Sequence, residues 1–353
     1  MKTSSSISLA YLGGIGLIAF SPLKASAAAI IAGVGLCTAA ASLLLALQKG
    51  RNRAALLLAA FCAGTFASAS ALISISGDSQ IPPLPAKANA TLLQLIDSRG
   101  LSGQSTALIK ALIMGERAEL SPTVVEAFRA AGASHILALS GLHVGIIYGI
   151  LSALLSPLGG SRTARWIQSG TGVALTAFYM VMTGASASVV RAFIFICLHC
   201  LARLMPDRRS IGTDTITAAA LIQLSINPLY IKQLGFQLSY LAVLGISLIY
   251  PRLRDWYPKS KSFDLMRKIW SSAAMSISCQ VFTTPLVLLH FGTFPPYFLI
   301  SNLIALPLTE LFIITTLADL GLSVLGIDLE ITKSLVEMLG QTLVYCLELV
   351  AAI

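Results

Sequence analysis

The stretch His135-Ile136-Leu137-Ala138-Leu139-Ser140-Gly141-Leu142-His143-Val144-Gly145-Ile146-Ile147-Tyr148-Gly149, apolar onward to Leu158, is long enough to cross a bilayer, since a span needs about 20 mostly apolar residues. The rest of the chain repeats this pattern. Hydrophobic residues make up 56% of its 353 residues and charged residues 11%, with a mean hydropathy of +0.83, whereas soluble domains carry about 25% charge. A single soluble core is excluded, and so is a transmembrane barrel, which would show short alternating segments. The expected fold class is all-α, a polytopic membrane protein of about 9–11 spans or re-entrant helices, with added amphipathic helices on the outer side.

Apolar runs at 7–20, 25–47 and 54–75 predict N-terminal membrane helices over 1–76, and Ala25-Ser26-Ala27 resembles a cleavage site that is read as uncleaved. Residues 77–90 form a proline-rich connector, 91–326 the main membrane domain and 327–353 a C-terminal helix, either a span or a surface helix. Within the main domain, spans are expected near 135–158, 167–184, 185–204, 211–226, 230–250, 269–294 and 296–325, the last long enough to be two broken helices. Basic residues concentrate at Lys49–Arg53, Arg162–Arg165, Arg203–Arg209 and Arg252–Lys268. Those loops are therefore assigned to the cytoplasm, where they set topology, and an even number of crossings separates each pair; the location of the basic residues matters more than the net charge of +9.

Residues 91–132 carry Lys110, Glu116, Arg117, Glu119, Glu126 and Arg129 at helical spacing, and so predict interfacial helices around an outer vestibule. Ser121 and Pro122 read as an N-cap and first turn, and Gly132 as a helix stop.

Polar groups within the apolar runs are the candidate site residues. Gly141, Gly145 and Gly149 recur every four residues and predict close helix packing. Ser140 and His143 fall opposite them, one helical turn apart, as interhelical hydrogen-bonding groups or the lining of a hydrated path. They also raise an intramembrane serine hydrolase, although the pair would share one turn and Ala138 stands where a glycine is expected. Ser188, Arg191, Phe195 and His199 share one quadrant of a later helix, with Arg191 facing a cavity or snorkelling. Tyr230, Gln233, Gln237 and Tyr240 form a polar stripe that either joins helices or lines a path on which bases could stack. No phosphate-binding loop occurs. The four histidines lack zinc-site spacing, and the Cys197-Leu-His-Cys200 motif stands alone in a span, so no metal or cofactor is expected.

Taken in order, Gly115-Glu116-Arg117, Phe128 through Gly132, His135 with Leu139-Ser140-Gly141-Leu142-His143, and Gly184-Ala185-Ser186 before Arg191 form a recognisable series. It continues with Pro228, Gly235-Phe236-Gln237-Leu238-Ser239-Tyr240, Thr284-Pro285, Phe291-Gly292, and Asn302 with Pro307. The series resembles the ComEC competence family over about 93–325. That resemblance implies an inner-membrane channel that passes single-stranded transforming DNA into a bacterium. Motif and candidate pore-lining positions are then Gly115, Arg117, His135, Ser140, Gly141, His143, Ser188, Arg191, Gln233, Gln237, Ser239, Tyr240 and Asn302, none catalytic. The family's OB-like and metallo-β-lactamase-like domains are expected to be missing from this chain. The implied partners are single-stranded DNA, membrane lipid, an outer DNA receptor, a cytoplasmic ATP-driven motor, a separate nuclease and further copies of the chain. The alternatives are the serine hydrolase, a small-solute transporter, or a scaffold without transport.

Overall fold

The computed structural model describes residues 10–16, 83–204, 213–258, 264–292 and 294–352, and among these the only regular structure is helical. The early apolar runs beyond 10–16, the loop at 49–53, Arg208, Arg209, Lys259 and Lys261 lie outside the described residues. The chain divides into two units, 1–80 with 207–240 and 81–206 with 241–353.

The larger unit begins with α1 (Pro83–Asp97), α2 (Gly103–Ile109) and a π-helical turn (Lys110–Met114), followed by α3 (Pro122–Ala130) and the short α4 (Ser134–Leu137). Next come α5 (Gly141–Leu155), α6 (Arg162–Met182) and α7 (Ala187–Leu204). In the smaller unit, α8 (Thr213–Ile226) leads through a 3-10 turn (Pro228–Lys232) to α9 (Leu234–Leu248), and the division between units falls within α9. The larger unit ends with α10 (Tyr250–Arg254), α11 (Leu265–Phe291), α12 (Phe298–Val324) and α13 (Glu330–Ala351).

Four described stretches are long and apolar enough to cross a membrane: Gly141–Leu158, α11, α12 and α13. The all-α membrane architecture expected from composition is the one observed, and α13 has the length and composition of a span. Within 296–325 a single helix, Phe298–Val324, runs with Pro307 inside it, in place of two broken ones.

Caps set several boundaries. The Ser121 side chain accepts from Val124 N with Pro122 in the first turn of α3. Gly132 follows that helix at φ +76°, and a Cβ there would stand 2.7 Å from Pro295. Only glycine suits both the left-handed backbone and the contact.

Residues 107–114 do not lie on a surface. All eight are buried, and they join Phe128, Phe312, Leu343 and Leu347 in the core, where α13 packs on α2, α3 and α12. The exposed charges of the expected amphipathic segment lie beyond this stretch, at Glu116, Arg117, Glu119, Glu126 and Arg129, and within it the charge of Lys110 is met internally. Lys110 is 5% exposed, and its Nζ lies 2.7 Å from Asp97 Oδ1 and 2.7 Å from Glu119 Oε1.

Candidate functional site

Where a continuous span was expected from His135, the backbone breaks. The α4 turn ends at Leu137, Ala138 is extended, and Ser140 caps α5 with φ −112° and ψ 167°. Serine favours this position because its hydroxyl can accept an otherwise orphaned helical N–H. Ser140 Oγ accepts from Leu142 N at 3.2 Å, while Ser140 N donates to His143 Nδ1 at 3.5 Å. Ser140 and His143 are therefore not neighbours on a helical face. They close a reciprocal cap, with the imidazole turned to a backbone amide and the hydroxyl committed to the helix end.

His143 is 1% exposed, and its Nε2 has no hydrogen-bond partner among the described residues. A buried imidazole nitrogen without a partner is costly in an apolar interior unless water or a ligand reaches it. The His135 side chain, by contrast, is exposed.

Arg191 comes from α7, which packs on α5. A Cβ added to Gly141 would stand 3.0 Å from Arg191 Nη2 and 3.5 Å from Ala192 Cβ. The glycine thus lets a guanidinium and the α7 backbone approach the capped end of α5. Gly145 and Gly149 would meet nothing within 4 Å among the described residues. Of the expected packing stripe, Gly141 is the glycine that meets α7, and further along the two helices the Tyr148 hydroxyl and Cys200 Sγ lie 3.0 Å apart. Ser188 is half-buried one turn before Arg191, and His199 is exposed.

Helix α12 touches both α5 and α11. Its buried face carries Ser301, Thr309, Thr316 and Asp319, a polar line about 27 Å long at 1.5 Å per residue. Ser301 and Thr316 hydroxyls donate to carbonyls four residues back. Asn302 Oδ1 and Thr309 Oγ1 are buried without a hydrogen-bond partner among the described residues. Unsatisfied oxygens two turns apart on one helix are the kind of groups that water occupies.

Gly115 ends the π turn in the left-handed region at φ +79°, and a Cβ there would lie 2.9 Å from Leu139 Cδ1, while Arg117 beyond it is exposed. Gln233, Gln237, Ser239 and Tyr240 belong to the smaller unit. The expected stripe from Tyr230 to Tyr240 does not form on one helix, since Asn227 opens a 3-10 turn and Gln233 is extended. Gln237 Nε2 donates to Ile231 O at 2.7 Å, and the Tyr240 hydroxyl donates to Gln223 Oε1 at 3.0 Å. These two side chains tie turn and helices together; Ser239 is half-buried.

A charged cluster escaped the sequence reading. Arg99 grips Asp319 through Nε and Nη2, both at 2.8 Å, and also donates to Ser323 and Asp328. Thr332 Oγ1 adds a 2.6 Å bond to Asp319, and Lys333 joins Asp328 and Glu330 at 3.0 Å each. Hydrogen bonds from Lys333 and then Arg99 hold the Asp328 carboxyl below its ordinary range. The signal was an aspartate inside the apolar run of α12, an expensive placement that demands a named partner. Among the described residues, no three His, Cys, Asp or Glu side chains are grouped to hold a metal.

The family model for Competence protein matches residues 112–353. The chain belongs to the Competence protein family. It is similar to ComE operon protein 3 of Bacillus subtilis, 28% identical over 208 residues, covering 59% of the chain and 25% of that protein. It resembles Competence protein ComA of Neisseria gonorrhoeae at 28% over 233 residues, covering 64% and 31%. Recombination protein 2 of Haemophilus influenzae is 27% identical over 227 residues, covering 62% and 28%. The chain thus spans between a quarter and a third of the length of these relatives. No solved structure matches it.

Proposed function

We propose that this chain is a multi-pass protein of a bacterial cytoplasmic membrane that forms part of the path through which single-stranded DNA enters during natural transformation. The observation that carries the reading is the family match over 112–353, joined by relatives named for competence. The structure supports a location at the α4–α5 break, where a buried histidine with an open nitrogen and an arginine meet a helix end in a membrane domain. Phosphates passing there would meet Arg191, and water would hydrate His143, Asn302 and Thr309. Lys110, expected at the entrance, is taken up by Asp97 and Glu119, which leaves the exposed Arg117 and Arg129 for that role.

The role is conductive and not catalytic. The Ser140 hydroxyl serves as a cap, and His143 faces the backbone amide of Ser140, an arrangement that supports no nucleophile and base pair. A serine-reactive phosphonate that labelled Ser140 would overturn this. Energy would come from a partner motor on the cytoplasmic side or from the membrane gradient, and DNA would reach the chain from a receptor on the outer side. In a competent host, deletion of the gene should abolish cytoplasmic entry of labelled DNA, and re-expression should restore it. The Arg191→Gln protein should insert at normal levels and fail to restore entry; normal entry would remove Arg191 from the path.

A further inference from the structure

The corner between α10 and α11 has no part in that site. Between Tyr250 and Trp270 the chain places six basic side chains against two acidic ones. Arg252, Arg254 and Lys268 are exposed, and Arg267 is half-buried. Arg267 and Lys268 sit in the opening turns of α11, where the positive end of the helix dipole opposes cations. One acidic residue, Asp264, is occupied by capping α11 through Arg267 N at 3.2 Å and by a hydrogen bond from Tyr257. The other, Asp255, faces Arg254 at 3.2 Å.

The same corner exposes apolar surface. Trp256 is 72% exposed and stacks on Trp270 at 6.4 Å, and Leu265 and Met266 beside them are exposed as well. The platform is rigid: Trp270 Nε1 donates to Leu253 O at 2.8 Å, the Tyr250 hydroxyl bonds Ser271 Oγ at 2.7 Å, and Arg252 donates to Leu248 O. Arg254 lies 5.7 Å from the Tyr250 ring centre.

We infer that the α10–α11 corner is a binding site for an anionic phospholipid, with the arginines and Lys268 on the headgroup phosphate and Trp256, Leu265 and Met266 at the acyl boundary. Three observations select a lipid over a nucleic acid. Residue Leu265 begins a helix of spanning length, so the patch sits where a span leaves the hydrocarbon. Exposed aliphatic side chains beside the tryptophan, Leu265 and Met266, suit acyl chains and have no counterpart to meet in a nucleic acid. Fixed tryptophans with cations around them are the anchors that interfaces favour. The inference does not depend on DNA passage.

The test uses the full chain carrying Trp166→Phe, which leaves Trp256 and Trp270 as the fluorophores, reconstituted in phosphatidylcholine vesicles. Brominated phosphatidylglycerol should quench their emission severalfold more effectively than brominated phosphatidylcholine at equal mole fraction. The preference should vanish in an Arg254→Gln, Arg267→Gln double variant and persist in the Arg254→Lys, Arg267→Lys variant, which keeps the charge and reports any loss of fold. Equal quenching by the two lipids, or an unchanged preference in the glutamine variant, would overturn the inference. So would oligothymidine binding abolished by the glutamine pair in the absence of any lipid preference, which would make the corner a nucleic-acid surface.

Discussion

Asp319 is 1% exposed in a helix of spanning length, and its two oxygens receive Arg99 and Thr332. Substituting Asn keeps the shape but leaves the guanidinium underbalanced, a change that costs about 3–5 kcal/mol for buried pairs. The expected result is a marked drop in the thermal midpoint of the purified Asp319→Asn protein in detergent; an unchanged midpoint would mean that Arg99 finds full compensation in Asp328 and Ser323. Gly132→Ala forces a Cβ into Pro295 at a left-handed backbone. It should destabilise by about 2 kcal/mol or more, whereas Gly145→Ala, with open space around it, should be neutral or stabilising in the same melt.

At the scale of elements, the turn joining α12 and α13 has its own pH response. The folded-state carboxyl of Asp328 titrates below its ordinary value, about 3.9 in an unfolded chain. Its contribution is therefore complete above that value and is lost as pH falls through the depressed one. Amide exchange over residues 325–332 should accelerate selectively as pH is lowered below about 4, after correction for intrinsic rates. In Asp328→Asn that acceleration should be absent. Lys110 moves oppositely: hydrogen bonds to Asp97 and Glu119 raise it, so its pairing holds through neutral pH and is lost only above the ordinary lysine range.

These elements also mark where sequence reading succeeded and failed. The α3 cap at Ser121-Pro122 and its stop at Gly132 were legible, because local chemistry decides them. Long apolar helices were legible because bilayer thickness sets their length. The break before Gly141 was not, since an apolar run has no periodicity to interrupt and a capping serine looks like any serine until the backbone turns. The Tyr230–Tyr240 stripe misled because four favourable offsets carry no information about the 3-10 turn that Asn227 and Pro228 impose. Arg99 and Asp319 lie 220 positions apart, a pairing no local pattern contains.

At the scale of the whole molecule, the buried surface is held by helices that come from distant parts of the chain. Helix α13 packs on α2, α3 and α12, so truncation before Glu330 would strip the covering from Phe128 and Phe312. The truncated protein should be degraded in cells and absent from membranes. Accumulation at normal levels would show that the remaining helices form a core without it.

The π turn at Lys110–Met114 amounts to a one-residue insert held within a helix. Each extra residue rotates the downstream chain by about 100°, and here Ile113, within the turn, accepts at its carbonyl from the Tyr179 hydroxyl at 2.6 Å. Deleting Ala111 would let the segment relax to regular α-helical winding and would turn Gly115-Glu116-Arg117 away from Leu139. A length difference of one residue at this point between homologues would therefore be a change of aim for the adjoining loop, of greater consequence than most substitutions within it.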